Sequence, residues 1–166
     1  MSVNPRLREL LDRHGPPHEI VSHRETVTAH QAAQNTHVSG DRVAKVIVMH
    51  DDAGSDFMVV LPSTCHLDPR VVHRVTGRAG VRLEDERALA RLFPDCELGT
   101  MPPIGHLYGM VMYVDPCLLE NQDEIWFQAG NHHELVRMRV EDYRRIARPF
   151  HASDCLDREP VASVGG

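Results

Sequence analysis

Apolar residues recur along this chain at two spacings, one helical and one extended. Leu7, Leu10 and Leu11 form a stripe behind Asn4-Pro5, which predicts an N-capped helix stopped by Gly15-Pro16-Pro17. HEIVSH, residues 18–23, reads as a short strand. Thr26 or Thr28 caps a second helix through Ala29, Ala32 and Ala33 that frays near Val38-Ser39-Gly40. VAKVIVM, residues 43–49, is almost continuously apolar and β-branched, the pattern of a strand buried on both faces. A turn at Asp51-Asp52-Ala53-Gly54 returns the chain as FMVVL, residues 57–61, to complete a hairpin. Asp68-Pro69 opens a helix to about Gly77, and Glu84 to Phe93 forms another, ended by Pro94-Asp95. The Gly- and Pro-rich run 97–109 is an irregular loop. Strands are predicted over 110–114, 125–127 and 135–140, a closing helix over 141–147, and loose polar chain after Pro149. Helices and strands interleave irregularly around at least one hairpin, so the expected fold is mixed α/β rather than a strict βαβ array.

Length and composition narrow this picture. At 166 residues, without internal repeat or visible boundary, the chain is expected to form one domain over 1–150 with a flexible tail over 151–166. Apolar content of 42% and charged content of 25% are those of a water-soluble globular protein. A net charge of −6 and only 5% aromatics argue against a surface that coats nucleic acid by charge or stacking, while permitting contact with an RNA end. No apolar run approaches membrane-spanning length and MSVNPRLREL has no signal-peptide h-region, so the expectation is a cytoplasmic protein with no membrane partner. In a reducing compartment Cys65, Cys96, Cys117 and Cys155, lacking any CxxC pair, are expected to be isolated thiols. Twelve histidines occur without HExxH or Cys-His zinc spacing, so no metal or cofactor is expected.

Four places carry candidate chemistry. Lys45 sits inside the apolar VAKVIVM strand, where an ammonium is costly unless it meets a polar or anionic ligand, or snorkels from an edge. Gly99-Thr100-Met101-Pro102-Pro103-Ile104-Gly105 is either a connecting loop or a stiff wall whose amides can face an oxyanion; it is not a phosphate loop. Ala129 to Glu134 places His132 and His133 side by side; in extended chain they point oppositely, so one metal between them is poorly served. His23 to Thr28 is a strand-to-helix corner with hydroxyls and helix-start amides, explained equally by capping. No GxSxG elbow or cysteine signature supplies a nucleophile.

The order of these features resembles the YbaK/EbsC family, which includes the editing insertion of bacterial prolyl-tRNA synthetases. His23-x-x-Thr26, Ala44-Lys45, Leu61-Pro62, Gly99-x-x-Pro102-Pro103-x-Gly105 and Ala129-Gly130 follow its sequence of motifs. Phe93-Pro94-Asp95-Cys96-Glu97, Tyr108-Gly109 and Gly130-x-His132-x-x-Leu135 are similar to its free-standing branch directed at seryl, threonyl and alanyl esters. The resemblance covers about residues 6–150. It implies a curved mixed sheet flanked by helices and hydrolysis of the ester joining a small amino acid to the terminal adenosine of tRNA. It implies that Lys45, Gly99 and His133 are catalytic, with His132 competing for the last role. By the same reading, Thr26, Val27, Met101, Pro103, Gly105 and Gly130 line the substrate, with Met101 an adjustable wall. Implied partners are the aminoacyl-tRNA acceptor end and a synthetase, with the terminal ribose hydroxyl assisting the attacking water. Two rival readings stand beside it: a non-catalytic module that binds a small ligand or a synthetase, and a metal hydrolase built on His132, His133 and Glu134.

Overall fold

Asn4 accepts from the amides of Arg6 and Leu7, so α1 (Pro5–His14) begins where its cap and proline place it, and Gly15 ends it in the left-handed region. The computed structural model describes residues 3–120 and 122–151. After α1 come β1 (His18–Ser22), α2 (Ala29–Thr36), β2 (Ala44–His50), β3 (Asp56–Pro62), α3 (Pro69–Thr76), β4 (Arg82–Leu83) and α4 (Glu86–Leu92). These are followed by β5 (Met112–Val114), α5 (Pro116–Leu119), β6 (Glu124–Gln128), β7 (Glu134–Arg139), α6 (Val140–Ala147) and β8 (Phe150–His151). The fold is mixed α+β. The curved sheet expected as one body is divided into two, ordered β1-β7-β6 and β4-β2-β3-β5-β8, with a lone parallel bridge, Val43 to Trp126, between them.

The hairpin is the centre of the larger sheet. Ala44 pairs with Pro62 and His50 with Asp56, in unbroken antiparallel register. Alternation sends Val46, Val48, Met58 and Val60 to the main core with Leu7 and Leu11 of α1, Phe127 and Val136 of the smaller sheet, and Tyr143 and Ile146 of α6. Ile47, Met49, Phe57 and Val59 face the other way, onto Val71 and Val72 of α3. Burial on both faces is what the near-continuous apolar run predicts.

Differences from the expected elements lie in short pieces. β4 is two exposed residues, α5 one turn begun by Asp115-Pro116, and residues 40–42 form a 3-10 turn. Phe150 and His151, placed in loose chain by the sequence, instead pair in parallel with Tyr113 and Val114. The remainder of the expected tail lies outside the described residues. Cys117 is disulfide-bonded, so four isolated thiols are not what forms; Cys65 and Cys96 are not in disulfides. A bridge depends on which side chains the fold brings within reach, and spacing along the chain does not encode that. Among the described residues, no helix is long and apolar enough to cross a membrane.

One ionic lock secures the hairpin turn to the end of α3. Buried Asp51 accepts from Ser55 N at 3.0 Å and from Arg78 Nη1 at 2.7 Å, and the Arg78 guanidinium stacks over Phe57. The Ser55 amide first, and Arg78 second, hold the Asp51 carboxyl below its ordinary value of 3.8. A carboxyl depressed in the folded state contributes stability above its unfolded pKa and loses it as pH falls through the folded one. Urea midpoints measured from pH 7 down to pH 3 are therefore expected to fall more steeply for the wild type than for Asp51→Asn. Parallel slopes would remove this lock from acid stability.

Candidate functional site

Lys45 stands second in β2, half-buried, and its Nζ donates to the backbone carbonyl of Cys65. The register puts it opposite Leu61, one residue before β3 ends at Pro62, so the chain that follows passes beside the ammonium. Around it lies a cleft of about 530 Å³ lined by Thr28, Ala29, His30, Ser63, Thr64 and His66. Thr28 is the N-cap of α2, its hydroxyl accepting from Gln31 N at 3.1 Å. Hydrogen bonds stiffen the rim: Ser63 Oγ donates to Gly40 O at 2.8 Å and Thr64 Oγ1 to Asp41 Oδ1 at 2.7 Å. Gly40 is fitted there, since a Cβ would come within 2.7 Å of the Thr64 methyl. The cleft thus offers one cation, several hydroxyls and two exposed imidazoles.

A second convergence adjoins it. Glu97 N donates to Gly130 O, Gly130 N to Thr100 O, and His132 N to Glu97 Oε2 at 2.7 Å. The corner segment joins them, with His23 N donating to His133 O and Thr26 N to His132 O. Thr26 is therefore tied to the 129–134 turn while Thr28, two residues on and at most about 7 Å away, lines the Lys45 cleft. Loops 23–28, 97–101 and 129–134, distant in sequence, are thus bonded to one another, and the first of them reaches the cleft through Thr28. Gly130 is required at the junction by its φ of 94° and by Asn4, whose Cβ would lie 2.7 Å from an added methyl.

Not every expected site residue faces the cleft. Met101 is only 4% exposed, belongs to the main core, and is not among the cleft's lining residues; the Gly/Pro loop tucks this side chain inward instead of presenting it as a wall. Met101→Ala is thus expected to lower stability by about 2 kcal/mol or more through the cavity it leaves, read by urea denaturation, rather than to widen substrate choice. Val27 is 73% exposed and lines no part of the cleft. Thr26 is buried as a tie between loops. Gly105 answers a packing demand, since a Cβ would lie 2.5 Å from Met110 O. Pro103 is buried and its carbonyl accepts from Tyr143 Oη at 2.7 Å. Gly99 is exposed in the left-handed region, at φ 82°. The Thr100 and Ile104 amides are taken by Glu97 O and Pro102 O, whereas those of Gly99 and Met101 have no partner among the described residues.

The two histidines are distinguished by their surroundings. His132 Nε2 lies 3.9 Å from Glu97 Oε2, while the His133 imidazole has no hydrogen-bond or ionic partner among the described residues. Neither joins Glu134 in a convergent donor set among the described residues, which removes the footing of the metal-hydrolase reading at this run. Cys96 packs under Tyr108, and burial above all pushes its thiol up to about 11, so it is protonated at neutral pH and a poor nucleophile. Sequence reasoning did not single out Ser63, Thr64, His66 or His30. The signal was available for the first three: counting back through the hairpin from its turn puts the residues after Leu61-Pro62 beside Lys45.

The sequence model of the aminoacyl-tRNA editing domain matches residues 23–146. Two curated relatives, the Multifunctional Ser/Thr-tRNA deacylase ProXp-y of Escherichia coli strain K12 and of Escherichia coli O157:H7, are each 39% identical over 54 residues. That segment is 32% of this chain and 32% of each relative, so the match spans about a third of their length. A crystal structure described as a proposed trans-editing enzyme for prolyl tRNA synthetase superposes with a TM-score of 0.78 at 22% identity, covering 94% of this chain and 99% of that one. A scaffold protein from computational epitope grafting gives 0.77 at 23%, covering 92% and 95%. At such identities these likenesses speak for the fold alone.

Proposed function

Since this chain belongs to the aminoacyl-tRNA editing domain family, we propose that it is a free-standing deacylase, hydrolysing the ester of tRNA mischarged with serine, threonine or alanine. The observation that carries the reading is the half-buried ammonium of Lys45, aimed by Cys65 O at the mouth of a hydroxyl-lined cleft inside the family's matched span. An aminoacyl ester is already activated, so hydrolysis asks for a positioned water and stabilisation of the tetrahedral oxyanion. In this reading Lys45 supplies positive charge for the ester oxygen or the terminal nucleotide, and the unengaged amides of Gly99 and Met101 are assigned as further donors to the oxyanion. The reading gives His133, with its uncommitted imidazole, the role of orienting water or the terminal ribose, beside a His132 held against Glu97. Partners in this reading are the acceptor end of tRNA and a synthetase that releases it, in the cytoplasmic setting where tRNA is charged.

The substrate class draws support from the Escherichia coli relatives, which are named Ser/Thr-tRNA deacylases. A deacylation panel tests it: purified tRNA charged with Ser, Thr, Ala, Cys or Pro, incubated with the full chain. Turnover of Ser, Thr or Ala esters well above background, with Pro spared, is the expected result. Tight binding of these tRNAs without hydrolysis of any would instead favour the non-catalytic binding module.

A further inference from the structure

At the opposite end of β2 from Lys45, three side chains converge, two from paired strands and one from the residue after a third. His50 is the last residue of β2, its register partner Asp56 the first of β3, and Glu84 follows β4, whose Arg82 pairs with His50. His50 Nδ1 lies 2.8 Å from Asp56 Oδ1 and 3.7 Å from Glu84 Oε1. One ligand atom from each of the three residues falls within 4.8 Å of the others. The Glu84 amide donates to Val48 O at 3.0 Å, which fixes its side chain over the hairpin end. Side-chain exposures of 24%, 24% and 13% leave the group reachable from solvent yet only partly hydrated.

Charge is unbalanced there. No lysine or arginine pairs with Asp56 or Glu84 among the described residues, and Arg82 is turned to Asp52. With a neutral imidazole the cluster carries two negative charges, and protonating His50 still leaves one. A dication with the imidazole neutral brings the sum to zero. Donors about 2.1 Å from a tetrahedral metal stand roughly 3.4 Å apart; the 3.7 Å pair is near that spacing, and the ion would replace the 2.8 Å His50–Asp56 hydrogen bond with two metal bonds after a shift of about half an ångström. An imidazole nitrogen in the set favours zinc or a similar transition ion over calcium or magnesium.

We propose that His50, Asp56 and Glu84 form a site for a divalent transition-metal ion such as Zn²⁺. The ion would clasp the hairpin end to β4, an edge strand with two pairing residues. The site is separate from the Lys45 cleft: five residues along a strand is about 16 Å and an odd step, so the two side chains leave opposite faces. The inference therefore does not depend on the proposed deacylation.

The test is a calorimetric titration of the full chain, stripped with EDTA and dialysed, with ZnCl₂, alongside Asp56→Asn and Glu84→Gln. One Zn²⁺ per wild-type chain is expected, with a higher melting temperature on loading, and binding weakened at least about tenfold in each variant. Both substitutions keep side-chain size and remove charge, and circular dichroism of the metal-free variants verifies the fold. If one variant fails to fold, the other reads the site. Absence of stoichiometric binding, or wild-type affinity in the folded variants, overturns the proposal; the second result would put the zinc on other histidines.

Discussion

Lys45→Ala is expected to lower kcat/KM for a seryl- or alanyl-tRNA ester by about 10²–10³-fold, the loss seen when one preorganised oxyanion donor is removed. The size follows from where the charge sits. Lys45 is anchored in the unbroken hairpin register, opposite Leu61, and its head is oriented by Cys65 O, so the ammonium is in place before substrate arrives. Water drawn in by the mutation cannot replace a fixed cation, because it must reorient as charge develops. Stability is expected to change by less than about 1 kcal/mol, since the side chain is only partly buried and its removal relieves the desolvation of an ammonium. Deacylation assays paired with urea denaturation separate the two effects. Wild-type turnover in a folded Lys45→Ala protein would take the lysine out of the mechanism.

Tyr143→Ala is expected to cost about 3–5 kcal/mol, enough to threaten the fold at 37 °C. Tyr143 is fully buried on the inner face of α6, against Phe127, with its ring centroids 6.0 Å apart. Its hydroxyl donates to Pro103 O, and burial holds the phenol protonated by raising its pKa. The bond joins the closing helix to the Gly/Pro loop, 40 residues away in sequence, so the same side chain fills the core and fixes the loop. Tyr143→Phe isolates the second role: the ring stays and the Pro103 carbonyl loses its donor, for about 1–3 kcal/mol. Denaturation midpoints of the two variants give the division. A neutral Tyr143→Phe would show that the loop is held by its prolines alone.

Much of the fold was legible because its signals are local. Asn4-Pro5, Asp68-Pro69 and the Gly15 and Gly77 stops are caps that act within one turn, and the helices begin and end on them. The unbroken apolar run of β2 and its return at β3 encode a hairpin buried on both faces, and the pairing observed is that hairpin. Lys45 stood out for the same reason, a charge where every neighbour is apolar. The two-residue strands β4 and β8 were illegible, since they exist through partners far away in sequence and not through any preference of their own.

The site divides along the same line. Sequence alone determined that a lysine rises from a central strand, and that Gly99, Gly130 and the prolines belong to special backbone; both follow from burial cost and φ restrictions, which act residue by residue. Only the tertiary structure decided which side chains surround the ammonium. It placed Ser63, Thr64 and His66 there through hairpin register, sent Met101 into the core and left Val27 in solvent, and held His132 against Glu97. The direction a loop side chain takes depends on which distant segments hydrogen-bond to that loop, such as Gly130 N on Thr100 O and Tyr143 Oη on Pro103 O. It also brought His50 and Asp56 together with Glu84, the residue after β4, because pairing across a sheet makes neighbours of residues that no spacing along the chain connects.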